Sequence, residues 1–120
     1  MAKDDYYVIV YQILAYLYQC LKAGEDVDPK MLSKDSPYFI VNGKELNDRY
    51  WCYILYNLQK MGFVGGIIFS GNIAGYPFER PLKWSDCMIT PVGIEYLTDN
   101  SFIQKAKEFL KDMKAIAPFV

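Results

Sequence analysis

Apolar residues recur through the first part of the chain in a pattern that one amphipathic face cannot accommodate. At a 3.6-residue period, Tyr6, Ile9, Val10, Ile13, Tyr16, Leu17 and Cys20 share one side of a helix over about residues 4–22. The opposite side carries Tyr7, Val8, Tyr11, Ala15 and Tyr18. A helix apolar on both sides has to be covered on both sides. Asp4 and Asp5 suit its positive N-terminal end, Lys22 suits its C-terminal end, and Gly24 stops it. The run Tyr6 to Leu21 is short of the roughly 20 residues a membrane span needs. It also contains five tyrosines, Gln12 and Gln19, so it reads as a buried helix and not as a membrane segment.

The later elements follow from turn and cap residues. Asp28-Pro29 is a cap followed by the preferred first helical residue, which predicts a short helix at about 28–33. Ser36 to Ile40 is a connector with room for one more helical turn, and Asn42-Gly43 is a turn. A third helix is expected at about 44–61, with Trp51, Ile54, Leu55, Leu58 and Met61 as its core stripe. Its other side offers Glu45, Arg49, Cys52, Tyr53, Tyr56 and Lys60. The period then becomes strand-like from Phe63 to Phe69, around Gly65-Gly66. A second strand is expected at about 85–90, with Cys87 and Ile89 facing one way and Met88 the other. The loop between them, 70–84, is rich in turn residues, and Arg80-Pro81 should break regular pairing. Thr90-Pro91 opens a fourth helix through Val92, Ile94 and Leu97. Asp99-Asn100-Ser101 caps a fifth, about 101–115, whose apolar stripe is Phe102, Ala106, Phe109, Leu110 and Met113.

Helix, short helix, longer helix, two-stranded hairpin and helix is the order of a winged helix-turn-helix with an added C-terminal helix. The 120 residues make one domain of α+β class, mostly α, with a core at about 4–98. The join Met88-Ile89-Thr90-Pro91-Val92-Gly93-Ile94-Glu95-Tyr96-Leu97 resembles the hydrophobic-Thr-x-x-Gly-x-x-x-Leu element of many bacterial winged-helix regulators. There Thr caps, Pro starts the helix, and Gly lets it approach the sheet. The resemblance extends to the YjcQ family. Tyr7 to Tyr18 looks like that family's first helix, and Tyr50-Trp51-Cys52-Tyr53-Ile54-Leu55 looks like part of its third. Ile89 to Leu97, Asn100-Ser101 and Lys105-Ala106 are similar to its C-terminal stretch. The resemblance covers nearly the whole chain. It implies a winged-helix fold in a small protein of Gram-positive bacteria or their phages, and transfers no catalytic or ligand-binding residue.

Composition narrows the function classes. A hydrophobic fraction of 52% and an aromatic fraction of 17% exclude disorder. Eleven Tyr and seven Phe are many for one small core, which places some at a surface or interface. Thirteen basic residues against fourteen acidic ones leave a net charge of −1. Any nucleic-acid surface must therefore be a local patch. The three cysteines Cys20, Cys52 and Cys87 are far apart and the chain has no His, which argues against a zinc site or any other metal. An odd cysteine count without a signal-peptide pattern predicts reduced thiols and a cytoplasmic location. No cofactor is implied. With no His base, no Walker loop and no Ser nucleophile elbow, the chain is expected not to be an enzyme. A Cys52 thiol on an exposed helix face beside Arg49 would be a redox-sensing candidate, although a lone Cys is usually inert.

The outward face of the third helix reads first as a DNA-contacting surface, with a protein-interaction surface as the alternative. In a winged helix this element enters the major groove while the hairpin tip follows the backbone. Lys44, Asn47, Arg49, Tyr53, Tyr56 and Lys60, with Arg80 and Lys83 from the hairpin, would then contact double-stranded DNA in a transcriptional regulator. Glu45, Asp48 and Glu79 oppose phosphates, and the same residues fit a protein-interaction module that keeps the fold without binding DNA. A continuous positive band through Arg49, Lys60, Arg80 and Lys83 favours DNA, whereas mixed charge favours protein. Trp84 is expected to pack on the core or sheet.

The second apolar face of the first helix (Tyr7, Val8, Tyr11, Ala15 and Tyr18) and the stripe of the fifth (Phe102, Phe109 and Met113 among them) are natural partners. Exposed, they would form a larger patch than monomers tolerate. The two helices are expected to pack together, within one chain or across a two-fold axis, with a homodimer as the expected assembly.

Overall fold

Both faces of the first helix are covered in the structure, a computed structural model that describes residues 5–36, 46–72 and 78–112. Helix α1 runs Tyr6–Ala23 and ends where Gly24 takes a left-handed conformation, φ 68°. Every position from Val8 to Ala15 is buried. Helices α3 (Pro91–Asp99) and α4 (Ser101–Asp112) pack on α1, and Trp51, Ile54, Leu55 and Leu58 of α2 (Asp48–Lys60) join the same core. The predicted short helix is a single 3-10 turn, Pro29–Met31, capped by the Asp28 carboxylate accepting from the Lys30 amide at 3.0 Å. Two tryptophans anchor this segment. The Trp51 indole donates to the Leu32 carbonyl and that of Trp84 to the Pro29 carbonyl, both at 2.9 Å, with the rings edge to face. The connector at 37–45 lies outside the described residues, as does the start predicted for the third helix. That helix begins at Asp48, because Asn47 is its cap.

The region read as one strand, Phe63 to Phe69, is two. Strand β1 (Val64–Gly65) pairs antiparallel with β4 (Met88–Ile89), and β2 (Ile68–Asn72) pairs antiparallel with β3 (Glu79–Lys83). The break is at Gly66, whose φ is 90° and where any Cβ would run into the Asp86 carbonyl. Ile67, just beyond it, lacks a strand partner. The Gln59 side chain of α2 takes that place: its Oε1 accepts from the Ile67 amide at 2.8 Å and its Nε2 donates to the Ile67 carbonyl at 3.0 Å. The 70–84 segment was expected to be loop, yet it contains β3. Pro81 is tolerated opposite Phe69 because β3 has β2 on only one side, and the ladder is irregular there. The second strand is correspondingly shorter than 85–90, with Cys87 and Ile89 buried and Met88 exposed as the alternation predicts.

The Thr90-Pro91 joint forms as its residues dictate. The Thr90 hydroxyl accepts from the Gly93 amide at 3.0 Å and donates to the Gly62 carbonyl. At Gly93 an added Cβ would collide with the Phe63 carbonyl, so glycine sets how closely α3 can lie on the hairpin. Helix α4 then pairs with α1 inside one chain. Its stripe is rotated from the predicted one. Ile103, Ala106 and Leu110 are buried, Phe109 is half-buried, and Phe102 is 48% exposed. Phe102 still reaches α1 by stacking on Tyr7, centroids 4.9 Å apart. Met113 lies outside the described residues. The whole is a mostly helical α+β fold, winged-helix-like, with a two-part hairpin as the wing.

Candidate nucleic-acid interface

Helix α2 and the outer hairpin β2–β3 form one face. The Asn47 side chain, a predicted DNA contact, is occupied in capping: Oδ1 accepts from the amides of Arg49 (2.9 Å) and Tyr50 (3.3 Å). Arg49, Tyr53 and Lys60 follow at spacings of four and seven, which keeps them on one exposed stripe. Tyr56, on the same stripe, is half-buried, and the Lys60 ammonium sits 5.5 Å from its ring centre.

The hairpin does not project away from this helix. Phe78, only 6% exposed, meets Tyr53 edge to face at 5.8 Å, and Phe69 meets Tyr56 in the same way at 5.8 Å. Arg80 forks onto Asp48, Nη1 to Oδ2 at 2.8 Å and Nη2 to Oδ1 at 3.3 Å. Lys83 pairs with Asp86 at 3.6 Å. Hydrophobic closure and this two-pronged ion pair fold the hairpin back onto α2. One consequence corrects an expectation. Cys52 is fully buried and not exposed, and burial raises its thiol pKa. An electropositive, accessible setting is what a redox-sensing thiol needs, and Cys52 has neither low pKa nor access.

The structure therefore brings Arg49, Tyr53, Tyr56, Lys60, Arg80 and Lys83 onto one face with Asn47 at its edge, but does not join the cations into a band. Asp48 engages Arg80, Asp86 engages Lys83, and Glu79 lies beside Tyr56 and Lys60. Lys44 lies outside the described residues. The sequence reading missed Phe69, Phe78 and the Asp48–Arg80 pair. Their only sequence signal is that aromatic residues flank the turn-rich loop, which fixes no partner.

A family model described as YjcQ protein matches residues 11–116. The chain belongs to the YjcQ family. No curated protein and no solved structure matches it. The YjcQ match runs from within α1 to beyond the described end of α4, so it takes in the α2–hairpin face whole. Among the described residues of this YjcQ chain, no group of three or more Cys, Asp or Glu could hold a metal ion, and no helix is long and apolar enough to cross a membrane.

Proposed function

We propose that this YjcQ-family protein is a non-enzymatic, cytoplasmic winged-helix module that docks another protein through α2 and the outer hairpin. The observation that carries this reading is the charge pattern. Arg80 and Lys83 are engaged by Asp48 and Asp86, so phosphates approaching the face would meet carboxylates among the cations. Interfaces with proteins tolerate mixed charge and favour exposed Tyr and Arg. Tyr53 is 46% exposed with Arg49 one turn before it, which is the composition of such a docking centre. A photo-crosslinking residue at position 53, in the native host, should yield a discrete protein adduct that Arg49→Glu abolishes. Duplex DNA, random or genomic, should give no anisotropy change at about 50 mM salt.

The second reading, a DNA-binding transcriptional regulator, is favoured by the stripe of Arg49, Tyr53 and Lys60 beside the wing. It requires saturable duplex binding that falls steeply with salt and is lost in Arg49→Ala with Lys60→Ala, and that result would overturn protein docking. It also calls for a two-fold homodimer to match a symmetric operator. The apolar faces of α1 and α4 that motivated a dimer cover one another within one chain, so the docking reading expects a monomer. Sedimentation at micromolar concentration distinguishes the two.

A further inference from the structure

On a part of the molecule that shares no residue with the α2–hairpin face, α1, α3 and α4 enclose a cleft of about 400 Å³. The volume lies in the range of small-molecule sites, roughly 300–1,000 Å³. Its most buried lining residues are Tyr11, Ala15 and Leu97, at 4%, 8% and 7% exposed, while Tyr18, Gln19, Thr98 and Gln104 make the rest of it polar. Its rim holds two ammonium groups, Lys22 from the end of α1 and Lys107 from α4. No carboxylate lines it. Among the described residues neither lysine is ion-paired; Lys22 instead lies over the Tyr18 ring, 4.3 Å from its centre. Elsewhere among the described residues Lys34, Arg80, Lys83 and Lys111 have a carboxylate partner, whereas Lys30, Lys60 and Lys105 do not.

The donors of Gln104 and Thr98 are spent on backbone carbonyls, which leaves the lysines and the Tyr18 hydroxyl to meet an anion. Gln104 is fixed at the α3–α4 corner, its Nε2 donating to the carbonyls of Leu97 (2.8 Å) and Thr98 (3.1 Å). That bracing holds α4, and with it Lys107, against the end of α3. Tyr18 presents a hydroxyl with no hydrogen-bond partner among the described residues. Buried Tyr11, Ala15 and Leu97, with an ammonium contributed by each of α1 and α4, are complementary to a small molecule that has an apolar body and one anionic group. The body would rest on Tyr11, Ala15 and Leu97, and the anion would be met at the rim by the ammoniums through charge-assisted hydrogen bonds.

We propose that the cleft between α1, α3 and α4 is a binding site for a small aromatic anion, held by Lys22 and Lys107 over Tyr11, Ala15 and Leu97. Carboxylate and phosphate share the required chemistry, and the test separates them. Amide chemical shifts of the full-length protein are followed during titration with phenyl phosphate, benzoate, benzamide and inorganic phosphate. Phenyl phosphate, benzoate or both should move the amides around Ala15, Lys22, Thr98 and Lys107 saturably, at about millimolar concentration or below. The stronger of the two names the anion. Benzamide and inorganic phosphate should leave them in place. Lys22→Gln with Lys107→Gln should keep the folded spectrum and weaken the aromatic anion by about tenfold or more. Equal binding of benzamide, binding of inorganic phosphate alone, unchanged affinity in the double variant, or no saturable shift from either aromatic anion would each overturn the proposal.

Discussion

Two regions of this protein combine cations with tyrosines, and they hold most of those cations differently. On the α2–hairpin face Arg80 is forked onto Asp48, and Phe69 and Phe78 close against Tyr56 and Tyr53, while Lys60 lies over the Tyr56 ring without an ion pair among the described residues. In the α1–α3–α4 cleft, Lys22 and Lys107 have no ion-pair partner among the described residues and the buried lining is preformed. Arg80 thus acts as a structural fastener in one place, while Lys22 and Lys107 keep their charge uncancelled by any carboxylate among the described residues in the other.

The largest perturbation tests whether the two regions are independent. Gly93→Ala pushes a Cβ into the Phe63 carbonyl and separates α3 from the hairpin, at a cost of about 3 kcal/mol or more. Because α3 borders the cleft and the hairpin borders α2, both regions should be lost in one cooperative transition by chemical denaturation. Loss of the cleft alone would make them separate units.

Alkaline pH should act next, and from the α1 side. Burial pushes Tyr6 and Tyr16 of α1 up to about 12, and the Cys87 thiol likewise to about 12. The fold favours the neutral form of each. Their contribution is intact below the ordinary values of 9.0 for the thiol and 10.0 for the phenols, and is lost as pH rises from there toward about 12. Helical circular dichroism should collapse together with the appearance of phenolate absorbance. Ionisation of these phenols near pH 10 with the helices intact would contradict their burial.

Single charges should separate the regions more finely. Arg80→Ala removes the clasp over Asp48 and should destabilise by about 1 kcal/mol, the upper end for partly exposed pairs, because the contact is two-pronged. A double-mutant cycle with Asp48→Ala isolates the pair. The smallest effect belongs to Lys22→Gln with Lys107→Gln, which breaks no ion pair among the described residues and should change stability by less than about 0.5 kcal/mol. A larger loss there would show that the lysines are fasteners too.

The elements governed by local rules were legible in the sequence. Doubly apolar α1, the Asp28-Pro29 cap, the alternation at Cys87-Met88-Ile89 and the Thr90-Pro91-x-Gly93 joint all announce themselves through neighbours a few residues away. The losses came where distant partners decide. Cys52 looked exposed on a helical wheel because nothing nearby says that the hairpin folds over it. Likewise β3 was hidden by Pro81, which an outer strand tolerates. On α4, choosing Phe102 over Ile103 as the stripe's start rotated the helix by one residue. Phe102 lies instead at the edge, stacked on Tyr7.

The Gln59 clamp on Ile67 has a mechanical meaning. A side-chain amide that imitates a missing strand makes the rotation of α2 about its own axis and the hinge at Gly66 a single degree of freedom. Twisting the helix would strip both hydrogen bonds at once, and flexing the outer hairpin would pull on Gln59. The stiffness of the outer hairpin against α2 therefore rests in part on one side chain about two turns of helix away from Tyr53.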